Sequence, residues 1–381
     1  MWPNHRSSPL PSAIEPSIDP LEVASWIRLE QTPGVGNVTA RLLLTQFGLP
    51  ENIFAAGHAA LSAVVGNPLA CALTAPLTAR SRHLIDQTLL WLQDSRHHFL
   101  TLADPRYPQA LLEISDPPVV LYVKGHLALM HAPAIAIVGS RNATAQGLLN
   151  AEQFAASLSQ AGLVVVSGLA MGIDAAAHAG ALRYPGSTIA VIGTGIDIIY
   201  PARNRALAAQ IADAGCVVSE YALGTGALAA NFPRRNRLIS GLSRAVLVVE
   251  AAARSGSLIT ARVAVEQGRD VFAIPGSIHA PLSKGCHWLI KQGAKLVESA
   301  RDVLEEIAPA APVPLSSSLT LPAPSAVLAA LSSAVGFDPV DSDTLVARTG
   351  LDVATLSAQL LELELLGCLE VLPGGNYQRV R

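Results

Sequence analysis

The sequence predicts an α/β protein: a doubly wound, extended Rossmann-like parallel sheet domain, flanked by an N-terminal helical domain and a C-terminal winged-helix domain. Three observations predict it. Between Ala134 and Ile274 short β-branched runs alternate with amphipathic stretches of helical length, and several of those runs end in turns rich in glycine and serine. A Pro/Ala/Ser-rich stretch then sets this region apart from a terminal segment that reads helix, helix, helix, hairpin. Parallel strands need crossovers and helices supply them, so the alternation specifies a parallel sheet whose ligands collect at the C-terminal ends of its strands.

Residues 1–103 are the expected helical N-terminal domain, rich in Leu and Ala with Gly and Pro punctuation. Within it Thr32-Pro-Gly-Val-Gly-Asn-Val-Thr-Ala-Arg-Leu-Leu-Leu44 has a helix-hairpin-helix pattern. Its Gly-Val-Gly turn exposes N–H groups at a helix start, where a phosphate can be held without reading sequence. A purely structural hairpin is the alternative, since only Arg41 adds nearby charge. Residues 104–307 are the expected Rossmann-like domain. An irregular lead-in, Asp104–Leu112 and Asp116–Val123, ends in a strand. Further strands are expected at Ala134–Val138, Leu163–Ser167, Thr188–Ile192, Cys216–Ser219, Ala245–Val249 and Val271–Ile274, with helices such as Gln146–Ala161 and Ser257–Gln267 between them. Residues 308–323 read as a semi-extended linker. Residues 324–381 are the expected winged helix, with helices near Pro324–Ser333, Asp341–Thr349 and Asp352–Leu366 and Pro373-Gly-Gly-Asn376 at the tip of a hairpin. DNA-reading versions carry basic residues into the major groove on the third helix. Here that helix has Asp352, Glu362 and Glu364 and no Lys or Arg, so it is expected to bind protein, or nothing, rather than DNA.

Composition excludes several classes. Half of the 381 residues are apolar and the mean hydropathy is +0.39, yet no uninterrupted apolar run approaches the roughly 18–20 residues of a membrane span. The excess is Ala, Leu and Val, as a sheet buried on both faces requires. The start of the chain, Met-Trp-Pro-Asn-His-Arg-Ser-Ser-Pro, lacks a secretory apolar core, so a cytoplasmic protein without membrane partners is expected. Cys71, Cys216, Cys286 and Cys368 are far apart with no CxxC pair, which favours reduced, buried thiols over a zinc site or a disulfide framework. A net charge of -3 argues against a wholly basic nucleic-acid coat, so any polyanion site must be local.

One such site is visible. Asn231–Arg244 holds four arginines, no acid and one aromatic in fourteen residues. It lies among four strand-end turns: Gly139-Ser-Arg-Asn142, Ser167-Gly-Leu-Ala-Met-Gly-Ile-Asp174, Gly193-Thr-Gly-Ile-Asp197 and Glu250–Thr260. Each places small residues or hydroxyls at a helix start, where free N–H groups favour an anion. Arginines, a stackable ring and several phosphate-binding turns point to single-stranded nucleic acid more than to one small cofactor. A dinucleotide site fails on detail, because Gly193-Thr-Gly-Ile-Asp-Ile198 lacks the third glycine and the strand Leu163–Ser167 ends in serine rather than an acid. No G-x-x-x-x-G-K-[ST] occurs, which excludes a P-loop. Asp174 and His178 could form an acid–base pair at i and i+4; a helix cap and a locally bonded histidine is the favoured reading. Glu220 and Glu250 are expected to order loops or arginines rather than to catalyse. His279 and His287 lack metal spacing. No catalytic residue, metal or cofactor is expected. Arg141, running from a strand into a glycine turn, is expected to meet an anion, as are Arg234, Arg235 and Arg237 beside Asn236. Core packing and base stacking stay open for Phe232. The apolar stretch Val271–Val297, with Ile274, Ile278, Leu282, Trp288, Leu289 and Ile290, suggests a two-fold contact.

In this order the motifs resemble the bacterial DNA-processing protein A family (DprA, or Smf). The residues that carry the resemblance are Gly139-Ser-Arg141, Ser167–Asp174 with Ala177-His178, Tyr200-Pro-x-x-Asn204, Ser219-Glu-Tyr221, Phe232-Pro-x-Arg-Asn-Arg237 with Ile239-Ser-Gly-Leu242, Ser255-Gly-Ser-Leu-x-Thr-Ala261, and Ile274-Pro-Gly-Ser277 through Gly293-Ala294. The resemblance implies a non-enzymatic, dimeric binder of incoming single-stranded DNA that shields the strand and helps load a RecA-type recombinase during natural transformation. It implies a phosphate pocket of Ser140, Arg141, Ser167, Gly168, Asn236, Arg237, Ser255, Gly256 and Ser257, with Phe232 facing a base. The chain departs from the family at Ala222–Ala230, which replaces a proline-rich turn. It lacks a lysine before Phe232, for which Arg234 is expected to compensate, and has His287 where asparagine is usual. The alternative is a phosphoribohydrolase of nucleoside monophosphates from the lysine-decarboxylase-like group. Its turn carries a catalytic glutamate that Arg254–Arg262 lacks. A transcription regulator would rest on the winged helix alone.

Overall fold

The structure is a computed structural model that describes residues 19–307, 326–372 and 375–380. The linker expected at 308–323 and the hairpin-tip residues Pro373 and Gly374 lie outside the described residues. The chain divides into two units, Met1–Gln93 and Asp94–Arg381.

The first unit is helical: α1 (Pro20–Gln31), α2 (Asn37–Phe47), α3 (Pro50–Ala55), α4 (His58–Val65), α5 (Asn67–Thr74) and α6 (Ala79–Trp91). Asp19 caps α1 by accepting from the Leu21 N–H at 2.9 Å, with Pro20 in the first turn. Trp26, Leu29, Leu43, Ile53 and Leu61 form a dry interior, the burial that short helices need because isolated ones are marginal. The helix-hairpin-helix segment is α1, a turn and α2; the α2 cap, Gly36, offers no side chain.

The second unit is built on a sheet of β1 (His97–Thr101), β2 (Val120–Gly125), β3 (Ala134–Val138), β4 (Val164–Ser167), β5 (Thr188–Val191), β6 (Cys216–Ser219), β7 (Ala245–Val248), β8 (Asp270–Ala273) and β9 (Lys295–Leu296), in the order β1-β2-β6-β5-β4-β3-β7-β8-β9. From β6 to β9 every neighbour is parallel; β2 pairs antiparallel with β6, and β1 with β2. The sheet is therefore mostly parallel with an antiparallel edge. Its first strand begins inside residues 1–103, which were expected to be helical. The reason is tertiary: in His97-His-Phe-Leu-Thr101 only Phe99 and Thr101 favour a strand, but all five residues pair with β2, and Phe99 meets Tyr122 edge to face with ring centroids 5.3 Å apart.

The helices of this unit are α7 (Gln109–Leu112), α8 (Ala145–Gln160), α9 (Ile173–Ala181), α10 (Arg205–Ala214), α11 (Asn231–Gly241), α12 (Gly256–Glu266), α13 (Lys284–Lys291) and α14 (Ala300–Ile307). The period-two geometry of strands sends alternate residues to opposite faces. Thus Ala134, Ala136 and Val138 join the core on one side while Ile135 and Ile137 join the core on the other. From central β3 the chain winds through β4, β5 and β6 to one side, then returns as β7 on the other. The β3–β7 boundary is the switch point at which such sheets open a crevice.

The winged helix follows as α15 (Ala326–Val335), α16 (Ser342–Thr349), α17 (Val353–Leu365), β10 (Leu369–Leu372) and β11 (Asn376–Arg379). Leu331, Val335, Leu345, Leu356, Leu360 and Leu363 close its own core. Asp341 and Asp352 cap α16 and α17. All four cysteines are free; Cys216 and Cys286 are buried as expected, whereas Cys71 is exposed and Cys368 half-buried. No helix of the described residues is long and apolar enough to cross a membrane.

Candidate functional site

A cleft of about 810 Å³ opens at the switch point. Its floor is the end of β3 and the turn after it, Val138–Asn142; one wall is the start of α12, Ser255–Thr260, and the other is the face of α11 formed by Phe232, Pro233, Arg235, Asn236 and Ile239. Of the residues predicted from the sequence, Ser140, Arg141, Phe232, Arg235, Asn236, Ser255, Gly256 and Ser257 line this cleft together. Arg141 is exposed and Ser140 half-buried. The Ser140 hydroxyl accepts from the Asn142 N–H at 3.2 Å, which holds the turn. Ser255 caps α12, accepting from the Ser257 N–H at 3.3 Å, and the two hydroxyls lie 2.6 Å apart. Nothing lies within 4 Å of where a Gly256 side chain would begin. This helix start therefore presents hydroxyls and open backbone to the cleft, the arrangement that attracts an anion.

The other predicted residues do different work. The Ser167 hydroxyl is fully buried and donates to the Ile137 carbonyl at 2.7 Å, tying β4 to β3. The Gly168 N–H donates to Asp174 at 3.1 Å. A side chain on Gly168 would come 2.7 Å from the Arg235 guanidinium and 2.8 Å from the Asp174 carboxylate, so only glycine fits between those two groups. Arg235 itself is buried and donates to the carbonyls of Gly168 and Val191, while its Nε has no hydrogen-bond partner among the described residues. Burial brings its pKa down to about 10. Arg237 is also buried, ion-paired to Glu220 and 2.9 Å from Asp116. Burial pushes the Glu220 carboxyl up, against the pull of Arg237 and then Arg234. Arg237 thus faces the buried Glu220 and the partly exposed Asp116 and lies off the cleft. Arg234 is half-exposed at 3.9 Å from Glu220, and it does not line the cleft either. Helical spacing explains the division, since neighbours in a run so dense cannot share one face.

A buried network holds the loop between β4 and α9. Asp174 accepts from the N–H groups of Gly168 and Ala170 and lines the cleft. Burial raises its carboxyl pKa, and Arg235 opposes that rise. His178 Nε2 accepts from the Leu169 N–H at 3.3 Å, so Nδ1 carries the proton and donates to Thr188 Oγ1 at 2.7 Å; that hydroxyl donates on to the Val165 carbonyl. Burial, with Arg235 nearby, takes the His178 pKa down to about 3, which keeps the ring neutral. Asn204 donates to the carbonyls of Leu169 and Ala170. Leu169, pinned on both sides, sits at φ 56°, a strained setting for a non-glycine residue that persists only where surroundings fix it. Asp174 and His178 are therefore loop-holding groups with no bond between them.

Glu250 accepts from the Thr144 N–H at 3.0 Å and from its hydroxyl at 2.6 Å, capping the approach to α8. A side chain on Gly147 would fall 2.3 Å from that carboxyl carbon. Glu370 of β10 accepts from the next N–H, that of Ala145, at 3.2 Å. His287 Nε2 lies 2.9 Å from the Gly276 carbonyl, a loop fastening. Sequence reasoning did not place Tyr200 in the site. Its ring, half exposed, lies 5.4 Å centroid to centroid from Phe232 and lines the same cleft. The usable signal was an aromatic in a strand-end loop. Phe232 in turn covers Gly193, whose added carbon would lie 3.0 Å from the ring. Among the described residues no group of histidine, cysteine or acid side chains could hold a metal ion.

Comparison with known proteins bears on this architecture. The family model described as DNA recombination-mediator protein A matches residues 98–308, and the one described as the DprA winged helix domain matches residues 300–375. Protein Smf of Escherichia coli is 44% identical over 312 residues, spanning 79% of this chain and 82% of that protein. The X-ray structure of DNA processing protein A from Streptococcus pneumoniae superposes with a TM-score of 0.65 at 42% identity, covering 75% of this chain and 98% of that one. DNA processing protein A from Helicobacter pylori, whose structure is described in terms of its single-stranded DNA binding mode, gives a TM-score of 0.51 at 31% identity over 56% of this chain and 96% of that one.

Proposed function

The chain belongs to the DNA recombination-mediator protein A family, and from that premise we propose that its cleft binds single-stranded DNA. The observation that carries this is the joining, at one switch point, of an aromatic pair with an exposed arginine turn and an open helix start. Bases stack against Tyr200 and Phe232, because every base has a π face and stacking tolerates any sequence. The phosphates follow Arg141, Asn236 and the Ser255–Ser257 helix start. Arg237, Ser167 and Gly168 act from behind, as the frame that fixes the cleft. The protein holds and shields the strand without cleaving it and passes it to a RecA-type recombinase in the cytoplasm, acting as a dimer. The domain division proposed is a helical unit, the Rossmann-like domain, a linker and a winged helix.

A gel-shift comparison of single- and double-stranded oligonucleotides tests the reading, with preference for the single strand expected. Equal binding to both, or none to either, would overturn it. Phe232→Ala should cost on the order of 1–3 kcal/mol of binding with the salt dependence nearly unchanged. Release of free base from nucleoside monophosphates, abolished by Asp174→Asn, would favour the hydrolase alternative instead.

A further inference from the structure

The third helix of the winged helix has an outer face of unusual composition. Leu356, Leu360 and Leu363 turn α17 inward, each almost fully buried. At about 100° per residue, Ala354, Ala358, Leu361 and Leu365 fall within an arc of about 60° centred opposite that core. All four are exposed, Leu361 by 55% and Leu365 by 80%. Glu362 flanks the stripe on one side and Glu364 on the other, and neither has an ion-pair partner among the described residues. The charge around it has the same sign, since residues 326–380 contain seven acids and only two basic residues, Arg348 and Arg379.

We infer that this face of α17 docks a protein whose own apolar patch is rimmed by lysine or arginine. An apolar line at the centre of a solvent face removes little from water unless something covers it, and leucines at i and i+4 are how a helix anchors in a partner. The acidic rims select the partner's charge: they repel nucleic-acid phosphates and make a basic rim the complementary one. A second copy of the chain is disfavoured by the same residues, because a self-facing helix would set glutamate rows against each other. The inference is independent of the DNA reading, as α17 contributes nothing to the cleft.

The test uses the full chain and fluorescent amphipathic helical peptides with one leucine face, flanked either by lysines or by glutamates. The lysine-flanked peptide should bind, more weakly as salt rises, and on the order of tenfold better than the glutamate-flanked one. Leu361→Ser with Leu365→Ser should abolish that binding while leaving the circular dichroism spectrum and the single-strand affinity intact. Glu362→Lys with Glu364→Lys, which keeps the apolar line, should reverse the preference between the peptides. Binding of neither peptide, or of both alike, would overturn the proposal. So would a fall in molecular mass by light scattering in the double serine variant, which would assign the face to a second copy.

Discussion

At the scale of single residues, the arginines predicted to meet DNA divide by burial into groups with different consequences. Arg141 is exposed at the cleft, whereas Arg237 is enclosed with Glu220 and Asp116. Arg141→Ala should leave the fold unchanged, weaken binding to all single strands alike and lower the slope of log affinity against log salt by about 0.7. Arg237→Ala strands a buried carboxylate and should destabilise the fold by about 3–5 kcal/mol in urea denaturation. An Arg237→Ala protein of normal stability with a reduced salt slope would return that arginine to the DNA. His178 carries the second residue-scale prediction. Its folded pKa of about 3 lies below the ordinary 6.5, so below 6.5 the unfolded chain takes up a proton that the folded chain refuses. Stability from this ring is complete above about pH 6.5 and is lost as pH falls toward 3, at up to about 1.4 kcal/mol per unit. His178→Gln should flatten the fall of melting temperature across that window; parallel curves for the two proteins would rule the account out.

Among elements, α8 is the one whose start depends most on distant chain. Thr144 and the Glu250 carboxylate set its cap, and Gly147 leaves the space that carboxylate occupies. Gly147→Ala should therefore destabilise the protein by about 1–2 kcal/mol although alanine is the better helix former; a gain in stability would show that Glu250 moves aside freely. Elements of this kind mark what the sequence made legible. The parallel strands from Ala134 to Ala273, with helices α8 and α12, announced themselves by period and length, and each of these lies within a residue or two of expectation. The β1 strand did not, because five residues after a helical stretch carry too little pattern and gain their identity from pairing with β2. The site was legible where one turn held its own groups, as at Ser140-Arg141 and Ser255–Ser257. It was not legible where direction mattered. Nothing in Phe232–Arg237 says which arginine faces in, since the acids that claim Arg237 lie at positions 116 and 220.

For the molecule as a whole, an apolar margin supports the proposed dimer. Ile278, Trp288 and Leu296 are exposed, and among the described residues edge strand β9 leaves one side of the sheet unpaired. Such a margin is an aggregation hazard unless a partner covers it. Light scattering at micromolar concentration should give about twice the 39.6 kDa chain mass, and Trp288→Glu should return it to the monomer; a wild-type monomer would sink the dimer. The switch point also sets a schedule. The floor of the cleft is made when β3 forms, but Ile135 is bridged to Ala245 across more than a hundred residues of chain, and the Ser255–Ser257 wall lies beyond that again. On the ribosome, a nascent chain that has already displayed Arg141 and Phe232 therefore has no groove to offer until β7 and α12 have emerged and paired. On the proposed reading, binding competence would arrive late, close to the completion of the domain, because the longest loop in the sheet must close before either wall has an opposite.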